Sequence, residues 1–219
     1  MTEIIAIDGP ASVGKTTLAK KISIKYNSPI LYSGRLYRSL ASKMIQENIS
    51  LNDEESILDC IKRIELEDTK VNNLYERKID LLSSKISKKE YVRRSLKKLQ
   101  RRFPKNNAKN SRFAIIEGRD IGTVIFPNAK YKFFLWADAK IRARRRLLQI
   151  KKNGRNVSFE RIFKEISLRD KMDIERKIAP LRPAVNSVLL DTSYLDIEQA
   201  LNLINNTLRK KTNGPRINK

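Results

Sequence analysis

The feature that most limits what this chain can fold into lies in residues 4–21, IIAIDGPASVGKTTLAKK. An apolar run leads into a turn of small residues, the turn closes on Gly-Lys-Thr, and a helical pattern follows with Leu18, Ala19 and Ile22 on one face. Gly9-Pro10-Ala11-Ser12-Val13-Gly14-Lys15-Thr16 fits the spacing G-x-x-x-x-G-K-[ST]. Glycines let the backbone curl until several N–H groups point inward at phosphate oxygens. A helix opening at Lys15 adds the positive end of its dipole. The spacing predicts a nucleoside triphosphate cradled by Gly9, Pro10, Ala11, Ser12, Val13, Gly14, Lys15, Thr16 and Thr17. Lys15 would reach the β- and γ-phosphates, and the Thr16 hydroxyl would ligate Mg²⁺.

A cradle of this kind needs a buried strand before it, and the rest of the chain supplies more of them. Residues 3–7, 29–32, 113–116, 131–136 and 187–190 read as buried strands, short and mostly rich in Ile, Val, Leu or Phe. Helical patterns cover 16–26, 140–152, 158–170 and 196–210, with Ser158 as a cap and Asp196 and Gln199 spaced as a capping box. Strands alternating with helices predict an α/β fold, a five-stranded parallel sheet with helices on both faces. The alternation breaks between about residues 40 and 111, which are polar, charged and mostly helical in pattern, with a strand or two expected near 64–71. That interval reads as an inserted lobe in a single domain spanning 1–219, with the core formed by 1–39 and 112–210. The tail from Asn213 onward reads as frayed.

Composition then narrows the chemistry. There is no histidine among the 219 residues, which excludes histidine bases, serine–histidine nucleophile pairs and histidine metal ligands. Lysine, arginine, carboxylates and hydroxyls remain, and phosphoryl transfer needs little else. The net charge of +23 raises the alternative of a nucleic-acid binder. No zinc-finger spacing, RNP-like strand or basic region with heptads accompanies it, so no specific nucleic-acid partner is expected. A lone Cys60, no apolar run long enough for a membrane span and no secretory pattern predict a cytoplasmic protein. Neither an Asn-Lys-x-Asp nor an Asp-x-x-Gly motif is present, which argues against a GTPase. Small-molecule kinases are left, and these need a second pocket for the acceptor.

Three stretches offer that pocket: YSGRLYR (32–38), EGRDIGT (117–123), and Arg169, Asp173 and Arg176, spaced to share one helical face. With DGPASVGKTT, SGRLYR, EGRDIGTVIFPNA, NVSFERI, RDKMDIER and IAPL in this order, the chain resembles the bacterial cytidylate kinases. The resemblance implies transfer of the γ-phosphoryl group of ATP to CMP or dCMP, in a monomer, with a core, a nucleotide-monophosphate lobe at about 40–111 and a lid at about 150–157. It implies cytosine contacts from Ser84, Arg93 and Asp120 and ribose contacts from Arg169 and Asp173. It further implies clamps on the acceptor phosphate and transferred group from Arg38, Arg119 and Arg176, with Ser33 beside them. Lys15, Arg119 and Arg176 are then the catalytic set.

The residue types suit these tasks. Cytosine offers an amino donor and two acceptors, matched by a carboxylate, a guanidinium and a hydroxyl. Two departures stand out. Tyr32 occupies a place where relatives are expected to be acidic, and Glu117, rather than aspartate, is left to hold Mg²⁺ through water. Arg35, Arg101, Arg102 and most of Arg142–Arg146 read as solvated surface charges or rim ion pairs, with one or two of Arg142–Arg146 left to touch adenine or phosphate.

Overall fold

A computed structural model describes residues 2–210 apart from 66, 71–73, 75, 153 and 155. The expected alternation is present. Strands β1 (Glu3–Asp8), β2 (Ile30–Tyr32), β3 (Phe113–Gly118), β4 (Tyr131–Trp136) and β5 (Val188–Asp191) form one sheet in the order β2-β3-β1-β4-β5. Every pairing is parallel. In a parallel sheet all carboxyl ends lie along one edge, and ligands bind there. Tyr32, Asp8 and Gly118 therefore converge, with Tyr32 in register with Glu117 and Asp8 with Gly118.

The sheet is covered on both faces, because its central strands are apolar on both. On one side α1 (Lys15–Lys25) and α8 (Ile197–Lys210) bury Leu18, Ile22, Leu201 and Ile204 against Ile5, Ile7, Phe113 and Phe133. On the other, α2 (Ser33–Gln46), α3 (Glu54–Lys62), α4 (Arg77–Ile86) and α5 (Glu90–Asn107) pack on Ala6, Leu31, Ala114 and Ile116. A third, small cluster joins α6 (Ala139–Lys152) to α7 (Phe159–Glu175) through Ala143, Ile162 and Ile166. Local signals act as expected. The Ser158 hydroxyl accepts from Arg161 N–H at 3.3 Å. Asp196 and Gln199 close a reciprocal capping box at 2.8 and 3.0 Å.

One expectation fails. Residues 64–71 hold no strand among the described residues; a 3₁₀ turn at Glu67–Lys70 stands there, and Val71 lies outside the described residues. Asp68 is satisfied partly within the segment and partly by α2. The Asp68 carboxylate accepts from Glu65 N–H at 2.9 Å and pairs with Lys43 at 3.0 Å, while the Ser39 hydroxyl donates to the Asp68 carbonyl. A segment whose polar groups are taken up by a turn and a neighbouring helix has less need of a sheet neighbour.

Candidate active site

Between β1 and α1 the chain makes the predicted cradle. Gly9 has φ +148°, Ser12 φ +58° and Gly14 φ +100°. At Gly9 a Cβ would stand 2.2 Å from the Leu135 carbonyl oxygen on β4, so no side chain fits there. Lys15, the first residue of α1, is buried and donates from Nζ to the Pro10 carbonyl at 2.7 Å. Burial pushes its amine down to about 7, with the nearby Arg119 guanidinium acting in the same direction. The Thr16 hydroxyl donates to Glu117 Oε2 at 2.8 Å. These are two hard oxygen groups at the mouth of the cradle, the donor type a small divalent cation takes. Among the described residues no cluster of His, Cys, Asp or Glu could hold a metal by itself. The pair therefore fits a cation that brings most of its ligands on a triphosphate and in its own water shell.

Asp8 closes β1 and ties this loop to the next one. Its Oδ1 accepts from Ile121 N–H at 2.8 Å and its Oδ2 from Gly122 N–H at 2.7 Å. Both N–H groups belong to the opening of a single π-helical turn, Ile121–Ile125, directly after Asp120. Burial pushes the Asp8 carboxyl up to about 7, against these two hydrogen bonds and the charge of Lys15.

Beyond that turn four elements bring charge together. Asp120 pairs with Arg93 of α5 through Oδ2, both side chains being buried, and its Oδ1 lies 3.5 Å from Arg176 Nη2. Arg119 Nε donates to Asp173 Oδ2 at 2.9 Å, and Arg176 Nη1 lies 3.6 Å from Asp173 Oδ1. Burial works to raise the Asp173 carboxyl, but Arg119, Arg169 and Arg176 together hold it below the usual carboxylate range. The buried Nη2 of Arg176 has no hydrogen-bond partner among the described residues, so one strong donor stands ready for an acceptor from outside the chain. Arg176 departs from the expected helical face: α7 ends at Glu175, and Arg176 is extended (φ −62°, ψ 135°). The chain turns back here through Ala179 (φ +52°), and Leu181 N–H caps the Asp173 carbonyl at 2.8 Å.

The remaining sequence-derived positions are less concentrated. Ser33, the first residue of α2, donates its hydroxyl to Gln100 Oε1 at 3.0 Å. Arg38 and Arg169 both reach Asp80 of α4, at 2.5 and 3.2 Å. Ser84 lies on α4, whose end is bridged to Arg93 through the Ser87 carbonyl, but no hydrogen bond joins the Ser84 hydroxyl to the Asp120 cluster among the described residues. At Tyr32 the Arg35 guanidinium lies 4.9 Å from the ring centroid and donates to the Thr69 carbonyl at 3.0 Å. A cation–π contact thus stands beside α2 where an acidic side chain was expected.

Several positions that hold the site's loops in place escaped the sequence reading. Arg142 is buried: it donates to the Ala137 and Ala11 carbonyls at 2.8 and 3.0 Å and pairs with Asp170 at 2.6 Å. Asp170 in turn accepts from Ala11 N–H at 3.3 Å. A pair spanning α6 and α7 therefore holds the two peptide groups that flank the Ala11 Cα in the phosphate loop. Arg101 donates to the Ile125 and Val124 carbonyls and anchors α5 on the π-helical turn. Arg142 departs from a surface role, whereas Arg101, Arg102 and Arg144 are exposed as expected. Gln100, almost fully buried behind Ser33, was also missed. Polar residues inside basic runs give no periodic signal; only Asp170, beside Arg169 in a motif already singled out, hinted at a neighbour.

A parallel sheet in this strand order, with a phosphate cradle at its carboxyl edge and an arginine–carboxylate cluster facing it, defines a P-loop phosphotransferase. Solved structures share the fold: a protein from Eubacterium ventriosum matches with a TM-score of 0.54 at 14% identity, covering 95% of this chain and 99% of its own. One from Thermus thermophilus matches at 0.51 with 15% identity, covering 94% and 98%. The chain belongs to the cytidylate kinase family, whose model matches residues 5–210. It is 40% identical to the cytidylate kinase of Bartonella bacilliformis over 90% of each chain. It is 37% identical to that of Caldanaerobacter subterraneus subsp. tengcongensis over 98% of each.

Proposed function

We infer that this chain transfers the γ-phosphoryl group of ATP to the 5′-phosphate of CMP or dCMP, giving ADP and CDP or dCDP. The observation that carries the reading is the convergence of Arg93, Arg119, Asp120, Asp173 and Arg176 beside the Thr16–Glu117 pair. Residues 9–17 hold the triphosphate, and Lys15 leaves the Pro10 carbonyl for the phosphate oxygens. Asp120 accepts from the cytosine amino group, while Arg93 and Ser84 donate to its O2 and N3. Uracil would set a carbonyl against the Asp120 carboxylate, leaving buried polar atoms unpaired. Arg169 and Asp173 take the ribose, and Ser33, Arg38, Arg119 and Arg176 take the acceptor phosphate.

An acceptor phosphate is already anionic, so no side chain has to remove a proton from it. The chain's part is to align two polyanions and to donate to the oxygens that gain charge during in-line transfer. Arg119 and Arg176 do this from fixed positions, each held by Asp173. A Mg²⁺ ion at Thr16, held through water by Glu117, would neutralise charge on the β- and γ-oxygens when bound. We further assign 40–111 as a monophosphate-binding lobe and about 150–157 as a lid within one domain acting as a cytoplasmic monomer. No helix among the described residues is long and apolar enough to cross a membrane.

The test is ADP release with CMP, dCMP, UMP, AMP and shikimate as acceptors. CMP and dCMP should be the best; turnover on AMP above that on CMP overturns the assignment of the base.

A further inference from the structure

Asp80 has no place in the transfer chemistry, yet two of the assigned acceptor contacts end on it. It lies in the first turn of α4, its N–H bonded to the Glu76 carbonyl at 3.0 Å. There the helix dipole favours a carboxylate. Its Oδ1 stands 2.5 Å from Arg38 Nη2 and accepts from Arg169 Nη1 at 3.2 Å. Arg38 comes from α2 and Arg169 from α7, so two guanidiniums from separate elements meet at one oxygen.

The two sides of this contact differ in exposure. The Arg38 side chain is 10% exposed and is also held by the Leu74 carbonyl at 3.2 Å, whereas the Asp80 side chain is 42% exposed. The carboxylate can therefore turn into water while the Arg38 guanidinium stays where it is. Carboxylate and phosphate oxygens accept from guanidinium N–H groups in the same way, and a phosphate brings more charge and more oxygens.

We propose that Asp80 is a resident anion, lodged on Arg38 and Arg169 where the acceptor nucleotide binds, and that its displacement sets acceptor affinity. The proposal rests on the assignment of Arg38 and Arg169 as acceptor contacts. It gives Asp80 a sign opposite to that of every other residue near the site: removing its charge tightens binding.

The test compares the parent with Asp80→Asn and Asp80→Ala. KM and kcat for CMP are measured, together with calorimetric affinities for CMP and for inorganic phosphate. Asp80→Asn keeps the volume and the accepting oxygen, so it decides the matter if the alanine variant is poorly folded. Both variants should lower the KM for CMP by about three- to tenfold, the size expected for releasing partly exposed ion pairs. They should tighten inorganic phosphate in parallel and leave kcat and the KM for ATP within about twofold. Asp68→Asn, whose partner is Lys43, should change none of these. An unchanged or raised KM for CMP with untightened phosphate overturns the proposal, since a carboxylate that merely holds Arg38 in place would give that result. If the parent prefers AMP to CMP, the cytosine reading falls, and the inorganic phosphate measurement alone then decides on Asp80.

Discussion

Lys15 carries the largest burden of any single side chain. Its amine is pushed down to about 7 by burial, so its charge is in play between neutral pH and pH 8. Phosphate oxygens beside it favour the charged form. Triphosphate binding at pH 8 should therefore take up close to one proton, seen by calorimetry in HEPES and Tris buffers of different ionisation enthalpy. Lys15→Met should abolish the uptake and cut turnover at least about a hundredfold with an unchanged circular dichroism spectrum. A parent whose binding heat is independent of buffer contradicts the first expectation, and activity near the parent's contradicts the second. Asp120 makes a second case at this scale. Removing it outright leaves Arg93 buried and unpaired, at a cost of about 3 kcal/mol or more. Asp120→Asn is the cleaner probe: its amide can donate to a uracil carbonyl, so the CMP-to-UMP ratio of kcat/KM should narrow by about tenfold or more. An unchanged ratio places base readout elsewhere. At single positions, the sequence was most legible where chemistry and spacing are rigid, as in Gly9, Lys15 and Thr16. It was least legible at Arg142 and Gln100, which are buried among solvated neighbours with no periodic mark to set them apart.

Elements were legible in proportion to how strongly one face is apolar. The five strands and the four helices read from periodicity all stand within a few residues of their expected ends, α7 excepted at its carboxyl end. The strand expected near 64–71 failed because a turn bond at Asp68 and contacts to α2, which leave no periodic trace, take up polar groups of a short segment of mixed polarity. The Arg142–Asp170 pair belongs to this scale, since it joins α6 and α7 to the phosphate loop. Breaking a buried pair of this kind costs about 3–5 kcal/mol. Asp170→Ala should lower the melting temperature by about 6–20 °C for a chain of this size. It should also raise the KM for ATP more than that for CMP, because the peptide released is Ala11 of the cradle. Equal effects on both substrates would place the pair in the general scaffold alone.

For the whole molecule the governing quantity is a net charge of +23. Described ion pairs such as Lys21–Glu198 and Lys62–Asp59 are exposed, and pairs of this kind contribute little. Self-repulsion therefore outweighs them and is screened by salt. The urea midpoint should rise as sodium chloride is increased from about 0.02 to about 0.5 M, a range over which the screening length shrinks severalfold. A midpoint that falls would mean that attractive pairs dominate. Composition made this charge legible at once but could not say where it gathers. Only the folded chain shows arginines from α5, the end of β3 and the segment after α7 closing on Asp120 and Asp173.

Asp8 deserves a last consideration, since its two carboxylate oxygens hold the peptide groups that follow Asp120 while its own peptide leads into Gly9. The phosphate loop and the stretch after Asp120 thus hang from the same pin. On the proposed assignment, a change of nucleobase preference has more freedom at Ser84, on α4, than at Arg93, whose replacement would leave Asp120 buried without its partner. Redrawing the stretch around Asp120 instead would tug on the triphosphate loop, so altered taste in one partner would come with a looser hold on the other.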